Sequence, residues 1–339
     1  MQSEPRVVVI SSNTGRWSAR ERLSDYETQN GVEAWVHAFQ GDYIGYEIVS
    51  KRDIQNYDIV IANTTHIGLN HLPKLISLGE SRPASVKWVT LIEGSATDYL
   101  KPNKEVVKSL NLSDLVNVIN RYTVSFFQAM THVKCAYIGI PYPVEHIAKM
   151  ALPVEKRRAR ALLCTRLARR WSDYFVANAI GIESYGYEQR ISRKLKRIHE
   201  TWALHKSLNP NKYFKVIQEC YRDNDLEVRR DVGQREFFIH NADAFMWINL
   251  DDRYTWGRYV LDAAALRIPI ITTRSTGHGE DLFPETTLED EFQVDKAVAI
   301  GKRLLCDPDF YHYVATYPIG KMEHLKHQPM KLKLLSHLT

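Results

Sequence analysis

The chain is predicted to fold as an α/β protein of two Rossmann-like domains facing each other across a cleft. Three observations predict it. Short apolar runs rich in β-branched residues alternate with segments of helical spacing, the pattern of parallel sheets covered by helices. The alternation breaks once, at Gly139-Ile140-Pro141-Tyr142-Pro143-Val144-Glu145, where two prolines within three residues suit a linker and not an element interior. It then restarts, and 339 residues exceed one ordinary core. The expected divisions are a first domain over 1–143, a linker over 144–158, a second domain over 159–316 and a helical tail over 317–339. The tail should pack back toward the first domain.

Taken in order, residues 6–10 (RVVVI) read as the first strand, followed by the polar turn Ser11-Ser12-Asn13-Thr14-Gly15-Arg16. One glycine stands there in place of the three of a dinucleotide fingerprint, which disfavours NAD. Residues 18–29 form a charged helical segment, and 32–39 and 46–49 read as strands. Residues 58–62 (DIVIA) make a strand ending at Asn63-Thr64-Thr65-His66; 69–78 make a helix stopped by Gly79. The strand at 87–92 ends at Glu93-Gly94-Ser95, and 102–110, 115–119, 122–130 and 133–138 continue the alternation. Past the linker and the basic residues Lys156, Arg157, Arg158 and Arg160, the strand at 161–164 ends at Thr165-Arg166. Residues 171–179, 191–208, 213–221 and 234–242 read as helices, 182–184 and 226–229 as short strands. Segments 287–292 and 296–305 close the second sheet, and 309–339 is polar and partly helical.

The most informative stretch is 242–280. A buried strand at 244–250 leads through Asp251-Asp252-Arg253-Tyr254-Thr255 to a helix opening at Trp256-Gly257, with Val260, Leu261, Ala264 and Ala265 at helical spacing. Arg267 and Pro269 end it; a second strand at 268–273 runs into Ser275-Thr276-Gly277-His278-Gly279-Glu280. Strand–loop–helix–strand puts both loops at the carboxyl edge of a parallel sheet, where open α/β sheets bind ligands. A glycine at the helix start lets backbone N–H groups approach a phosphate, and the helix dipole favours its charge.

Bulk properties narrow the function classes. A net charge of +5 is a mild excess, and 44% hydrophobic with 25% charged residues is the balance of a soluble globular protein. Cys135, Cys164, Cys220 and Cys306 are far apart, with neither zinc nor redox spacing, so reduced thiols in the cytoplasm are expected. No secretory h-region occupies residues 1–30 and no run is long enough to span a bilayer.

Several segments resemble the GT-B glycosyltransferases, specifically the retaining, family-4-like branch. Residues 136–145 (AYIGIPYPVE) look like the segment leaving the first domain. Residues 162–170 (LLCTRLARR) resemble the strand opening the second, and 241–245 (NADAF) the approach to the donor-site strand. Residues 254–263 (YTWGRYVLDA) lie where the family spaces two glutamates across a Gly-bearing helix start, and 268–273 with 277–280 (GHGE) match the next strand and loop. The order of the five along the whole chain is more specific than any one of them. Tyr254 stands at the first acidic position, with Asp251 or Asp252 able to supply a carboxylate from a shifted loop; Asp262 shortens the second. The glycine pair after strand one is reduced to Gly15, and where a histidine is often found the chain has Ile92-Glu93, His66 lying one loop earlier.

The resemblance implies transfer of a hexose from a nucleoside diphosphate sugar to an acceptor hydroxyl, with retention. That donor would serve as co-substrate, with no cofactor and no metal. Arg166 and Arg170 would stabilise the charge that develops on the leaving diphosphate. Glu93 or His66 would act as base or orient the acceptor. Asp262 would clamp the ribose; Gly15, Trp256, Gly257, Arg258, Gly277, His278, Gly279 and Glu280 would line the donor site. For each, a structural role competes: basic surface for the arginines, helix cap and core for Trp256 and Gly257, strand-end polarity for Glu93 and His66.

Asp223-Asn224-Asp225 is read as a turn, not a metal triplet. Of the basic stretches 156–170 and 190–206, the first is read as basic surface about the strand at 161–164 and the second as an amphipathic helix with a solvated basic face. The second offers peripheral contact with a membrane that carries a lipid-linked acceptor, the other acceptors being glycan or protein. No nucleic-acid partner is expected. The rivals are a nucleotide-sugar-binding protein without turnover, supported by Tyr254, and a nucleic-acid-binding protein, supported by the basic runs.

Overall fold

The computed structural model describes residues 4–12, 15–21, 31–64, 71–100, 103–164, 172–188, 226–230 and 232–339. In the first sheet, β1 (Val7–Ser11) is central and β2 (Arg16–Ser18) is an antiparallel edge strand on β3 (Asp42–Gly45). β3 pairs in parallel with one side of β1. On its other side lie β4 (Ile59–Thr64), β5 (Lys87–Ile92), β6 (Leu115–Val118) and β7 (Cys135–Tyr137), all parallel. Helices cover both faces, so every residue of β1 is buried: Val7 and Val9 face one core, Val8 and Ile10 the other. The connections carry α1 (Ala34–Phe39), α2 (Lys51–Ile54), α3 (Leu72–Glu80), α4 (Lys104–Asn111) and α5 (Val124–Gln128).

The prolines at 141 and 143 lead into α6 (Val144–Ala148) and then the second sheet. There β8 (Arg158–Leu163) is central. β9 (Glu183–Glu188) and β10 (Glu227–Arg230) lie to one side, and β11 (Ala244–Asn249), β12 (Ile270–Thr273) and β13 (Thr287–Leu288) to the other, all parallel. Its helices are α7 (Ser172–Ile180), α8 (Gln234–Asn241), α9 (Arg258–Leu266), α10 (Gly279–Leu282) and α11 (Val294–Cys306). Each sheet reverses its winding direction beside its central strand, between β1 and β4 and between β8 and β11, and such a reversal opens a crevice at the strands' carboxyl ends. The expected fold of two Rossmann-like domains facing across a cleft is the fold observed.

After α12 (Pro308–Thr316) the chain returns. α13 (His327–Ser336) lies on α1 of the first domain, with Met330 and Leu334 buried and Lys331 Nζ 2.7 Å from Glu4. One apolar cluster runs from β1 through Ile138, Ile140 and Tyr142 into the second sheet, so the hinge is part of a continuous core.

Three elements differ from expectation. Residues 34–39 form a helix, not a strand, because α13 and the sheet enclose it and all six side chains are buried. A helix buried all round has no polar face to mark its period. Residues 46–49 are a turn, and the strand lies just before them at Asp42–Gly45. Of the charged helix expected at 18–29, Ser18 ends β2 and 19–21 form a turn, the backbone being drawn into the edge pairing with β3; 22–29 and the helices expected at 191–208 and 213–221 lie outside the described residues.

Candidate active site

The crevice of the second sheet is built from the ends of β8, β11 and β12. The loop after β8, with Arg166 and Arg170, lies outside the described residues. The loop after β11 is tied down at every turn. Leu250 N donates to the buried carboxylate of Asp173 at 2.8 Å. Asp251, 5% exposed, takes both arms of the Arg253 guanidinium at 2.9 and 2.8 Å. Desolvation works against the charge on Arg253, but Asp251 outweighs it and raises its pKa. The Asp251 carbonyl accepts the hydroxyls of Thr273 and Ser275 from the neighbouring loop. Asp252 and Tyr254 remain exposed.

Gly257 then turns the chain into α9 at φ +74, where a Cβ would stand 1.7 Å from the Thr276 carbonyl oxygen. The glycine is therefore demanded by two loops crossing. Trp256 is buried against Gly139 of the hinge, where a Cβ would come within 2.1 Å of the indole ring. Its other neighbour is His278, edge to face at 4.3 Å. Gly277 lies at φ +81 with the Thr255 carbonyl 2.9 Å from its would-be Cβ, and a Cβ on Gly279 would meet Thr287 at 2.7 Å. Burial holds His278 neutral, its pKa lowered to about 3, with His324, Arg121 and Lys333 adding to the effect. Its Nε2 has no hydrogen-bond partner among the described residues.

Arg258, the first residue of α9, is different in kind. It is exposed and makes no hydrogen bond or ion pair among the described residues. Desolvation by the surrounding walls opposes its charge, yet Asp262, Tyr259, Tyr142 and, from the first domain, Glu93 hold its pKa above the usual arginine value. A guanidinium with no hydrogen bond among the described residues, at a helix N-terminus in a crevice, is an arrangement suited to a phosphate group.

Asp262, one turn on, is 1% exposed and accepts the Tyr142 hydroxyl at 2.5 Å. Its carboxylate thus joins the hinge to α9. Nearby, burial pushes the Cys164 thiol well up, with Asp173 and Asp262 contributing, so this cysteine stays protonated. Tyr142→Phe should lower stability by about 1.5–3 kcal/mol, the worth of a buried hydrogen bond to a carboxylate; the urea midpoint measures it, and an unchanged midpoint would sink this assignment.

Further ties cross between the domains. Asn120, fully buried after β6, donates from Nδ2 to the carbonyls of Thr255 (2.8 Å) and Ser275 (2.9 Å). Arg121 reaches Glu280 at 3.0 Å and both oxygens of Asp281 at 2.8 Å, and Tyr122 donates to Glu280. Arg274 sits 3.2 Å from the other Glu280 oxygen. The structure therefore places Glu280 at a domain-fastening cluster. Asn120, Arg121, Tyr122 and Tyr142 were not singled out by sequence reasoning. The one available signal was a polar triplet directly after a buried strand.

On the first-domain edge, Gly15 (φ +97) accepts Gly45 N at 2.8 Å. Glu93, half-buried, accepts Asn63 Nδ2 at 2.8 Å; the same nitrogen donates to Ser11 Oγ at 2.9 Å. His66 lies outside the described residues, as does Asp223-Asn224-Asp225. Among the described residues, no group of three His, Cys, Asp or Glu is placed to hold a metal ion, and no helix is long and apolar enough to cross a membrane.

No known protein family and no characterised protein sequence matches the chain. Solved structures do. An alpha-glucosyltransferase in complex with UDP and a 13-mer DNA containing an HMU base is similar at 10% identity and TM-score 0.62, over 99% of this chain and 100% of that one. A sucrose-phosphate synthase from Thermosynechococcus elongatus is similar at 10% identity and TM-score 0.61, over 98% of both chains. An α,α-trehalose 6-phosphate synthase from Burkholderia multivorans is similar at 11% identity and TM-score 0.66, again over 98% of both. At such identities the likeness is one of fold, the GT-B arrangement. It corrects one expectation. The sequence leads one to expect no nucleic-acid partner, yet the same architecture, matched end to end, is seen bound to DNA. A modest overall charge conceals how cations are distributed; of the basic runs at 156–170 and 190–206, the part from 165 on and the whole of the second lie outside the described residues.

Proposed function

We propose that the protein is a glycosyltransferase that moves a hexosyl group from a nucleoside diphosphate sugar to an acceptor hydroxyl, with retention of anomeric configuration. The observation that carries this reading is Arg258: a cation with no hydrogen bond or ion pair among the described residues, at the start of α9, beside the reversal in the second sheet and within the electrostatic reach of Glu93 of the first domain. As the bond between the sugar's anomeric carbon and the diphosphate breaks, negative charge grows on the leaving oxygen. Arg258 and the N–H groups opening α9 stabilise it, with Arg166 and Arg170 supplying the family's other two cations. The acceptor oxygen bonds to the same carbon from the same face, and its proton passes to the departing phosphate. Glu93 orients that acceptor hydroxyl. The acceptor carries phosphate close to its hydroxyl, as DNA with a hydroxymethylated base and sugar phosphates both do; a surplus of five positive charges suits such a partner.

A transfer assay with radiolabelled UDP-glucose tests this, using hydroxymethylated duplex DNA in one arm and glucose 6-phosphate in the other. Label should appear in one acceptor, and that arm identifies the source. No transfer to either, with every common nucleotide sugar tried, would contradict the reading. A second reading, nucleotide-sugar binding without turnover, is favoured by the commitment of Asp251 to Arg253 and by Tyr254 at the position of the family's carboxylate. Binding without transfer or hydrolysis would establish it.

A further inference from the structure

The ends of β1, β4 and β5 are joined by one side chain that the proposed chemistry has not used. Asn63 is 1% exposed and lies at the carboxyl end of β4. Its Nδ2 donates to Ser11 Oγ at the end of β1 and to Glu93 just past β5. The amide orientation follows from this neighbour, since the Glu93 carboxyl oxygen 2.8 Å away accepts and the amide nitrogen has the hydrogen to give. The backbone beneath is held from both sides: Tyr46 donates its hydroxyl to the Asn63 carbonyl, and Tyr99 donates to the Thr64 carbonyl.

Asn63 Oδ1 and Thr64 Oγ1 are buried without hydrogen-bond partners among the described residues. A buried polar atom left unmet costs about 1–3 kcal/mol, so both atoms call for a partner beyond the described residues. Resting on the glycosyltransferase reading, we propose that Asn63 is a positioning residue for the acceptor: its amide fixes the direction of the Glu93 carboxylate, and thereby the acceptor hydroxyl that Glu93 orients. The titratable groups facing Glu93 are Tyr46 and Tyr99 within the first domain and Arg258 from the second.

The test compares Asn63→Asp and Asn63→Ala with the wild type. Asn63→Asp keeps the shape but sets a second carboxylate at hydrogen-bond distance from Glu93. The pair then shares a proton, and the acid limb of the pH profile of kcat/KM should move up by roughly one unit or more. Asn63→Ala should lower kcat/KM for the acceptor by about tenfold while leaving the donor KM unchanged. A merely structural asparagine would lower thermal stability and leave the acid limb in place, which would overturn the proposal. Titration of Glu93 by carboxyl carbon NMR, in wild type and Asn63→Asp, reads the same coupling without turnover. If the wild type transfers no sugar, the glycosyltransferase reading fails, and the titration still decides whether Asn63 holds Glu93. An unchanged Glu93 midpoint in Asn63→Asp would overturn that hold.

Discussion

Gly257→Ala is expected to destabilise the second domain by more than about 4 kcal/mol, at the far end of what single substitutions do. The alanine would have to keep φ +74 and place its Cβ 1.7 Å from the Thr276 carbonyl oxygen. Neither side can yield easily. Thr276 is fully buried, its hydroxyl donates to the Thr273 carbonyl at 2.7 Å, and the next residue, Gly277, is itself pressed against Thr255. Gly15→Ala is the control: its φ of +97 is also unfavourable for a side chain, but no described residue lies within 4 Å of the would-be Cβ. Strain without collision should cost about 1–2 kcal/mol. Urea unfolding of both variants measures the difference. Equal midpoints would mean that the two loops do not cross as closely as described.

Asn120→Asp should be the most damaging change at the domain interface. An aspartate still accepts from Tyr122 N, as Asn120 Oδ1 does at 3.0 Å, so the local cap survives. What changes is the interdomain side, where a carboxylate would face the carbonyl oxygens of Thr255 and Ser275 with no hydrogen to give. A buried, uncompensated charge costs roughly 3–5 kcal/mol. The protein escapes that cost by protonating the carboxylate or parting the domains. Hydrogen exchange at residues 253–257 and 274–278 should therefore accelerate, and more so at high pH, where the carboxylate is ionised. Unaltered exchange in both segments would remove Asn120 from its interdomain role.

The parts of the fold read directly from the chain are those whose signal is local. The strands at β1, β4, β5, β8, β11 and β12 are apolar runs long enough to be seen alone, and the hinge is marked by its own prolines. The helix Ala34–Phe39 reads as a strand because its enclosure depends on α13, which comes nearly three hundred residues later. The stretch 242–280 was recognisable as loop, helix and loop, but not the reason for its glycines. Gly257, Gly277 and Gly279 each permit a close approach to a residue elsewhere in the chain, a fact that spacing does not carry. Glu280 reads in sequence as a polar loop acid; its partners Arg121 and Tyr122 belong to the other domain. Asn63, Asn120 and Tyr142 are ordinary letters at strand ends or in a linker. Their importance comes only from what the fold brings to them.

The central claim is that the crevice of the second sheet holds a nucleoside diphosphate sugar against Arg258. Isothermal titration of UDP-glucose, with GDP- and ADP-glucose alongside, into wild type and Arg258→Ala tests it most directly. Arg258 is exposed and unpaired among the described residues, so its removal should leave folding intact. The account predicts saturable binding by the wild type to at least one of the three and an affinity at least about tenfold lower in the variant, the loss of one charge-assisted phosphate contact. Equal affinities in the two proteins, or no binding of any nucleotide sugar by the wild type, would contradict it.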